Sequence, residues 1–204
     1  MKNIIEYIKQ KYNPLSIIVY GSYADGSNNA HSDFDALVIT KDHENFHDVS
    51  FIEKTQLDVF VYPSTYFDND IDCKEFVQIF DGNIVMDTNQ CGEKLKKRII
   101  DYMANLPCKT EEELYTEVEW CKKMFLRTKR NDTEGMFRWH WVLTESLEIF
   151  CDLMHHPYRG PKKGLRWMKN NYFEAYQLYT EALFCFDVSA LENWINYLDQ
   201  FIQK

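Results

Sequence analysis

The run "LSIIVYGSYADGSNNAHSDFDALVIT", residues 15–40, constrains this chain more than any other stretch. Two apolar segments, 15–20 and 33–40, flank a Gly21-Ser22 corner and a polar turn at "DGSNN". Segments this short and rich in Val and Ile read as strands. The ten residues between Ser22 and Asp33 are enough for the chain to travel out, turn and return as a neighbouring strand. The second strand alternates Asp33, Asp35 and Leu37 with Phe34, Ala36 and Val38. Its two aspartates therefore point the same way, and their mutual repulsion needs a reason.

The surrounding pattern extends an α/β reading to about residue 90. Residues 3–12 have helical spacing and stop before Pro14. "KDHENFHDVS" reads as a polar connection, and "FIEKTQLDVFVY" (51–62) as a further β-rich run with Asp58 among apolar neighbours. "DCKEFVQIF" (72–80) looks helical, and "GNIVMD" (82–87) is a last short strand. Beyond that, helix-period segments dominate, at roughly 94–106, 110–130, 133–155, 162–182 and 188–203. The expected division is an α/β domain over 1–93 and a helical domain over 94–204.

Charge separates the halves as well. Residues 1–90 hold six Lys, no Arg and fifteen Asp or Glu, whereas the remainder balances its signs. An acidic first half argues against unaided binding of long nucleic acid, which needs Lys and Arg for its phosphates. It suits a divalent metal or a cationic small molecule, or simply aids solubility. The six cysteines are widely spaced, without CxxC or a Cys/His zinc pattern, and read as reduced core residues. With no signal-peptide apolar core and no run of membrane-span length, a cytoplasmic protein without membrane association is expected.

The corner and the aspartates together suggest chemistry. Gly21 allows close approach of backbone to a ligand, and amides beside the Ser22 hydroxyl suit phosphate oxygens. Mg²⁺ favours carboxylates together with phosphate oxygens and water. Shared ions at Asp33 and Asp35 remove the repulsion, and Asp58 can complete a second site or take a proton.

"YGSYADGSNNAHSDFDALVI" with "QLDVFVY" resembles the signature of the nucleotidyltransferase superfamily that includes DNA polymerase β. The nearer likeness is to bacterial aminoglycoside and lincosamide nucleotidyltransferases and to minimal nucleotidyltransferases. It is specific over residues 15–62. The resemblance implies an α+β fold: a mixed sheet flanked by helices, followed here by a C-terminal helical bundle domain. It also implies Mg²⁺-dependent transfer of a nucleoside monophosphate, AMP from ATP being the first expectation, to a hydroxyl. In that likeness Gly21 and Ser22 hold phosphate, Asp33 and Asp35 bind two Mg²⁺ ions, and Asp58 is third ligand or base.

The helical half adds candidates. "YRGPKKGLRWMKNN" supplies Arg159, Lys162, Lys163 and Arg166, and in the antibiotic-modifying relatives a lysine ahead of an aromatic-containing helix contacts phosphates. Lys162 is the first choice here and Lys163 the second. On "MFRWHWVLTESLEIFCDLMH", helical spacing puts Glu145, Glu148 and Asp152 on one stripe beside Trp141. That stripe either faces solvent or receives a cationic acceptor, with Glu145 as an alternative general base. The leading expectation is an enzyme adenylylating a small hydroxylated acceptor such as an aminoglycoside or lincosamide. The alternatives are transfer to a protein or RNA end, of the toxin–antitoxin type, and a non-catalytic nucleotide-binding scaffold. Oligomeric state is left open.

Overall fold

The structure, a computed structural model, describes residues 1–202. It divides into two units, Met1–Leu106 and Pro107–Lys204.

The first unit is built on a mixed sheet ordered β3-β5-β2-β1-β6. Its strands are β1 (Ser16–Val19), β2 (Phe34–Thr40), β3 (Phe46–Asp48), β4 (Phe51–Ile52), β5 (Thr55–Pro63) and β6 (Asn83–Asp87). β1 pairs antiparallel with β2 and β6, β2 pairs parallel with β5, and β3 and β4 run antiparallel to β5. Alternation along the strands feeds two cores. On one face Ile17, Val19, Phe34, Ala36 and Val38 pack under α1 (Lys2–Tyr12), whose Ile4, Ile8 and Tyr12 recur every fourth residue. On the other, Ile18, Leu37 and Ile39 meet Phe76 and Ile79 of a 3₁₀ stretch, Cys73–Asp81, and Leu95 and Ile99 of α3 (Cys91–Ala104).

α3 belongs to this first unit, so the chain divides after Leu106 rather than at 93. The reason is local. Asp87, the last residue of β6, accepts hydrogen bonds from the amides of Gly92 (3.1 Å) and Glu93 (2.9 Å) at the start of α3. A Cβ on Gly92 would lie 2.1 Å from Ser16 Oγ, so the helix docks directly on β1. Farther along, Arg98 Nη1 donates to the Phe67 carbonyl at 2.9 Å.

β3, absent from the sequence reading, is an edge strand fixed by one carboxylate. Asp48 has a side chain only 6% exposed and accepts from Tyr12 Oη, from Lys11 Nζ at 3.1 Å and from the Ser50 amide at 2.9 Å. Burial alone would raise its pKa, but the hydrogen bonds from Tyr12, Ser50 and Lys11 outweigh it and bring the group down from 3.8 to about 2. A depressed carboxyl contributes stability above its unfolded pKa and loses it as pH falls toward the folded value. Asp48→Asn should therefore cost about 1–3 kcal/mol at pH 7. The gap in melting temperature from the parent should shrink as pH drops from 3.8 toward about 2. Thermal melts of both proteins across that range check it.

The second unit is helical: α4 (Glu111–Thr128), α5 (Thr133–Leu153), α6 (Pro161–Asn171), α7 (Phe173–Cys185) and α8 (Val188–Asp199). α4 opens with a capping box between Thr110 and Glu113, and Asp132 caps α5 through the Gly135 amide at 2.8 Å. The segment expected near 162–182 is two helices, because Tyr172 adopts φ −139° and ψ 66° between them. Trp194 is fully buried and donates to Ser146 Oγ at 2.9 Å, while Tyr179 Oη donates to the Leu143 carbonyl at 2.9 Å. These bonds fix α5 to α7 and α8. Among the described residues no helix is long and apolar enough to cross a membrane. All six cysteines are free thiols, yet only Cys121 and Cys151 are buried, so the expectation of six core thiols is corrected.

Candidate active site

β1 ends where the chain must turn sharply beside β2. The Tyr20 amide donates to the Asp35 carbonyl at 3.1 Å, which brings the next residue against the Asp35 side chain. That residue is Gly21, at φ +64°, and α2 (Gly21–Asp25) begins there. A Cβ on Gly21 would fall 2.2 Å from Asp35 Oδ2, so only glycine leaves room for the carboxylate. Ser22 follows, half-buried, in the first turn of α2.

The parallel pairing of β2 with β5 sets Asp35 directly opposite Asp58. Both carboxylates lie on the face that carries Leu37 and Ile39, and both are close enough to Tyr20 to act on it. Burial, then the charges of Asp58 and Asp35, push the Tyr20 phenol well above its ordinary pKa. Asp33 shares their strand face by period two, but it sits exposed just ahead of β2. The expected convergence of three acids is thus a registered pair with Asp33 at its edge. Among the described residues no three His, Cys, Asp or Glu side chains gather into a group that could hold a metal ion. Mg²⁺ typically takes one or two protein carboxylates and completes its shell with phosphate oxygens and water. The Asp35–Asp58 pair, with the room left by Gly21, fits that demand.

His47 joins this site and escaped the sequence reading. Neighbouring residues of a strand face opposite ways, so Asp48 toward α1 leaves His47 on the face of Asp58. Its Nε2 donates to Asp58 Oδ1 at 2.5 Å, and its ring stacks on Phe60, 4.1 Å away and 3° from parallel. A three-residue edge strand of Phe, His and Asp has no β-branched pattern to announce it. His47→Phe keeps the stacking area and removes the donor. It should lower turnover about 10- to 100-fold and leave the KM for nucleotide unchanged, as steady-state kinetics would show.

The remaining candidates lie in the helical unit. Lys162 and Lys163 occupy the first turn of α6, with Lys162 exposed and Lys163 half-buried. No acid accompanies them in that turn, so a helix end that favours anions carries only cations. Glu145 and Glu148 are exposed along a groove between α4 and α5. Asp152, the third member of their stripe, is instead engaged by Lys109 Nζ at 2.8 Å. Lys109 also pairs with Glu117.

A glycine corner against paired strand carboxylates on a mixed sheet is consistent with a nucleotidyltransferase domain. The nucleotidyltransferase domain family model matches residues 1–124, more than half of the chain, and the chain belongs to that family. Members take a nucleoside triphosphate and an acceptor and usually employ a divalent metal ion. No curated protein matches the chain. Among solved structures, a nucleotidyltransferase-like protein from Exiguobacterium sibiricum 255-15 is similar at 14% identity and a TM-score of 0.44. That match covers 99% of this chain and 72% of the other. At such a distance no residue role carries over, and the family assignment rests on the match over 1–124.

Proposed function

We propose that the protein transfers AMP from ATP to a hydroxyl of a small molecule, of the aminoglycoside or lincosamide kind. The observation that carries this reading is the parallel register setting Asp35 opposite Asp58, with Gly21 against the Asp35 carboxylate. Asp35 and Asp58, with Asp33 at the rim, would hold Mg²⁺. When bound, the ions supply charge neutralisation for the triphosphate and a lowered pKa for the acceptor hydroxyl.

The chain's own residues do the rest. Gly21 and Ser22 receive phosphate oxygens, and Lys162 and Lys163 are the candidate phosphate-contacting lysines of the helical unit. The acceptor oxygen forms its bond to the α-phosphorus as the bond to pyrophosphate breaks. Asp58 is the third metal ligand or the base that takes the acceptor proton, and Glu145 is the other candidate base. His47 holds the Asp58 carboxylate in a fixed orientation throughout.

Incubation with Mg²⁺, labelled ATP and panels of aminoglycosides and lincosamides tests the proposal. Label appearing on a small acceptor, with pyrophosphate released in equal amount, is the expected outcome. Label on protein or RNA ends alone, or nucleotide binding with no turnover on any acceptor, would reject it.

A further inference from the structure

The groove between α4 and α5 has a volume of about 520 Å³ and lies wholly within the helical unit. That is the size range of small-molecule sites. Its walls combine two features. Trp120 and Trp141 meet edge to face, with ring centroids 5.3 Å apart. Beside them stand Glu117, Glu145 and Glu148.

The charges are unevenly satisfied. Lys109, the groove's own ammonium, pairs with Glu117 and with Asp152. Among the described residues no cationic partner falls to Glu145 or Glu148. Burial, then the charge of Asp152, raises the Glu148 pKa, Lys109 opposes this, and Glu145 and Glu117 add to it. The surroundings therefore want positive charge.

An inorganic ion does not fit that want. A small hydrated metal ion would make no use of indole walls. Those walls have a record within the fold: the Arg138 guanidinium already lies 5.2 Å from the centre of the Trp141 ring. Indoles attract cations through their faces and cover hydrocarbon with the same surface. A carboxylate pair beside two indoles selects a ligand with charge at one end and carbon at the other.

We propose that this groove seats an organic ammonium compound, its charge between Glu145 and Glu148 and its hydrocarbon body against Trp120 and Trp141. Naming the occupant as the acceptor rests on the transfer reading. The binding itself needs neither nucleotide nor magnesium, so the two can fail separately.

Calorimetric titration of the full chain with cyclohexylammonium, in phosphate buffer without nucleotide or metal, reads the site directly. Saturable binding at millimolar concentration is expected, at least about tenfold tighter than for cyclohexanol, its neutral counterpart. The double substitution Glu145→Gln, Glu148→Gln should weaken it about tenfold, and Trp120→Ala by a similar factor. Should the double variant fail to fold, Glu145→Gln alone carries the test, since Glu145 is exposed. Equal binding of cyclohexanol, no saturation, or an affinity unmoved by the glutamine substitutions overturns the proposal. A chain that binds the ammonium yet transfers no nucleotide retains the site and loses the acceptor role.

Discussion

Asp35→Asn is expected to lower nucleotidyl transfer about a thousandfold while the protein still folds. Loss of rate from a protein that still folds is the point. Neighbouring strands lie about 5 Å apart, and two unit charges at that distance repel by about 3 kcal/mol at an effective dielectric near 20. Asp35 and Asp58 are each partly exposed, so screening reduces the figure, but its sign stays unfavourable. Asparagine keeps the shape and removes the repulsion, together with the charge a cation would answer. Initial rates with labelled nucleotide and thermal melts decide between the explanations. Activity within tenfold of the parent would mean the pair does not serve the reaction. A melting temperature several degrees lower would mean Asp35 is structural.

The parts of this site that follow from neighbouring residues could be read in advance. The Gly21-Ser22 corner, the shared face of Asp33 and Asp35, and an acid within the third strand all depend on local spacing. What spacing cannot give is register. Asp58 stands opposite Asp35 only because β2 and β5 pair in parallel, residue for residue, and a shift by one would turn Asp58 to the other face. His47 lay deeper still, on a three-residue edge strand held by Asp48 rather than by its own propensity. The domain boundary slipped for a related reason: α3 looks like the helices after it, and its docking on β1 through Gly92 is a tertiary fact. The helical stripe shows the same limit. Glu145 and Trp141 could be placed on one face of α5, but Trp120, Glu117 and Lys109 reach the groove from α4 and the segment before it.

Gly21→Ala should lower activity at least about a hundredfold, and Gly26→Ala supplies the control that interprets it. Both glycines have left-handed backbones, φ +64° and φ +73°. An L-residue in that region costs about 1–2 kcal/mol, so both variants should lose comparable stability. Their surroundings differ. A Cβ at 26 meets nothing within 4 Å, whereas one at 21 would lie 2.2 Å from Asp35 Oδ2 and 2.8 Å from its Cγ. The alanine at 21 must therefore push the Asp35 carboxylate away from the place opposite Asp58. The alanine at 26 strains the end of α2 and leaves the carboxylates alone. Rates and melting temperatures measured on both variants separate backbone strain from displacement. Similar melting temperatures with a large gap in rate tie the reaction to the position of the Asp35 carboxylate. Equal losses of rate would show that the corner contributes backbone conformation alone and that the close approach of Gly21 to Asp35 has no catalytic meaning.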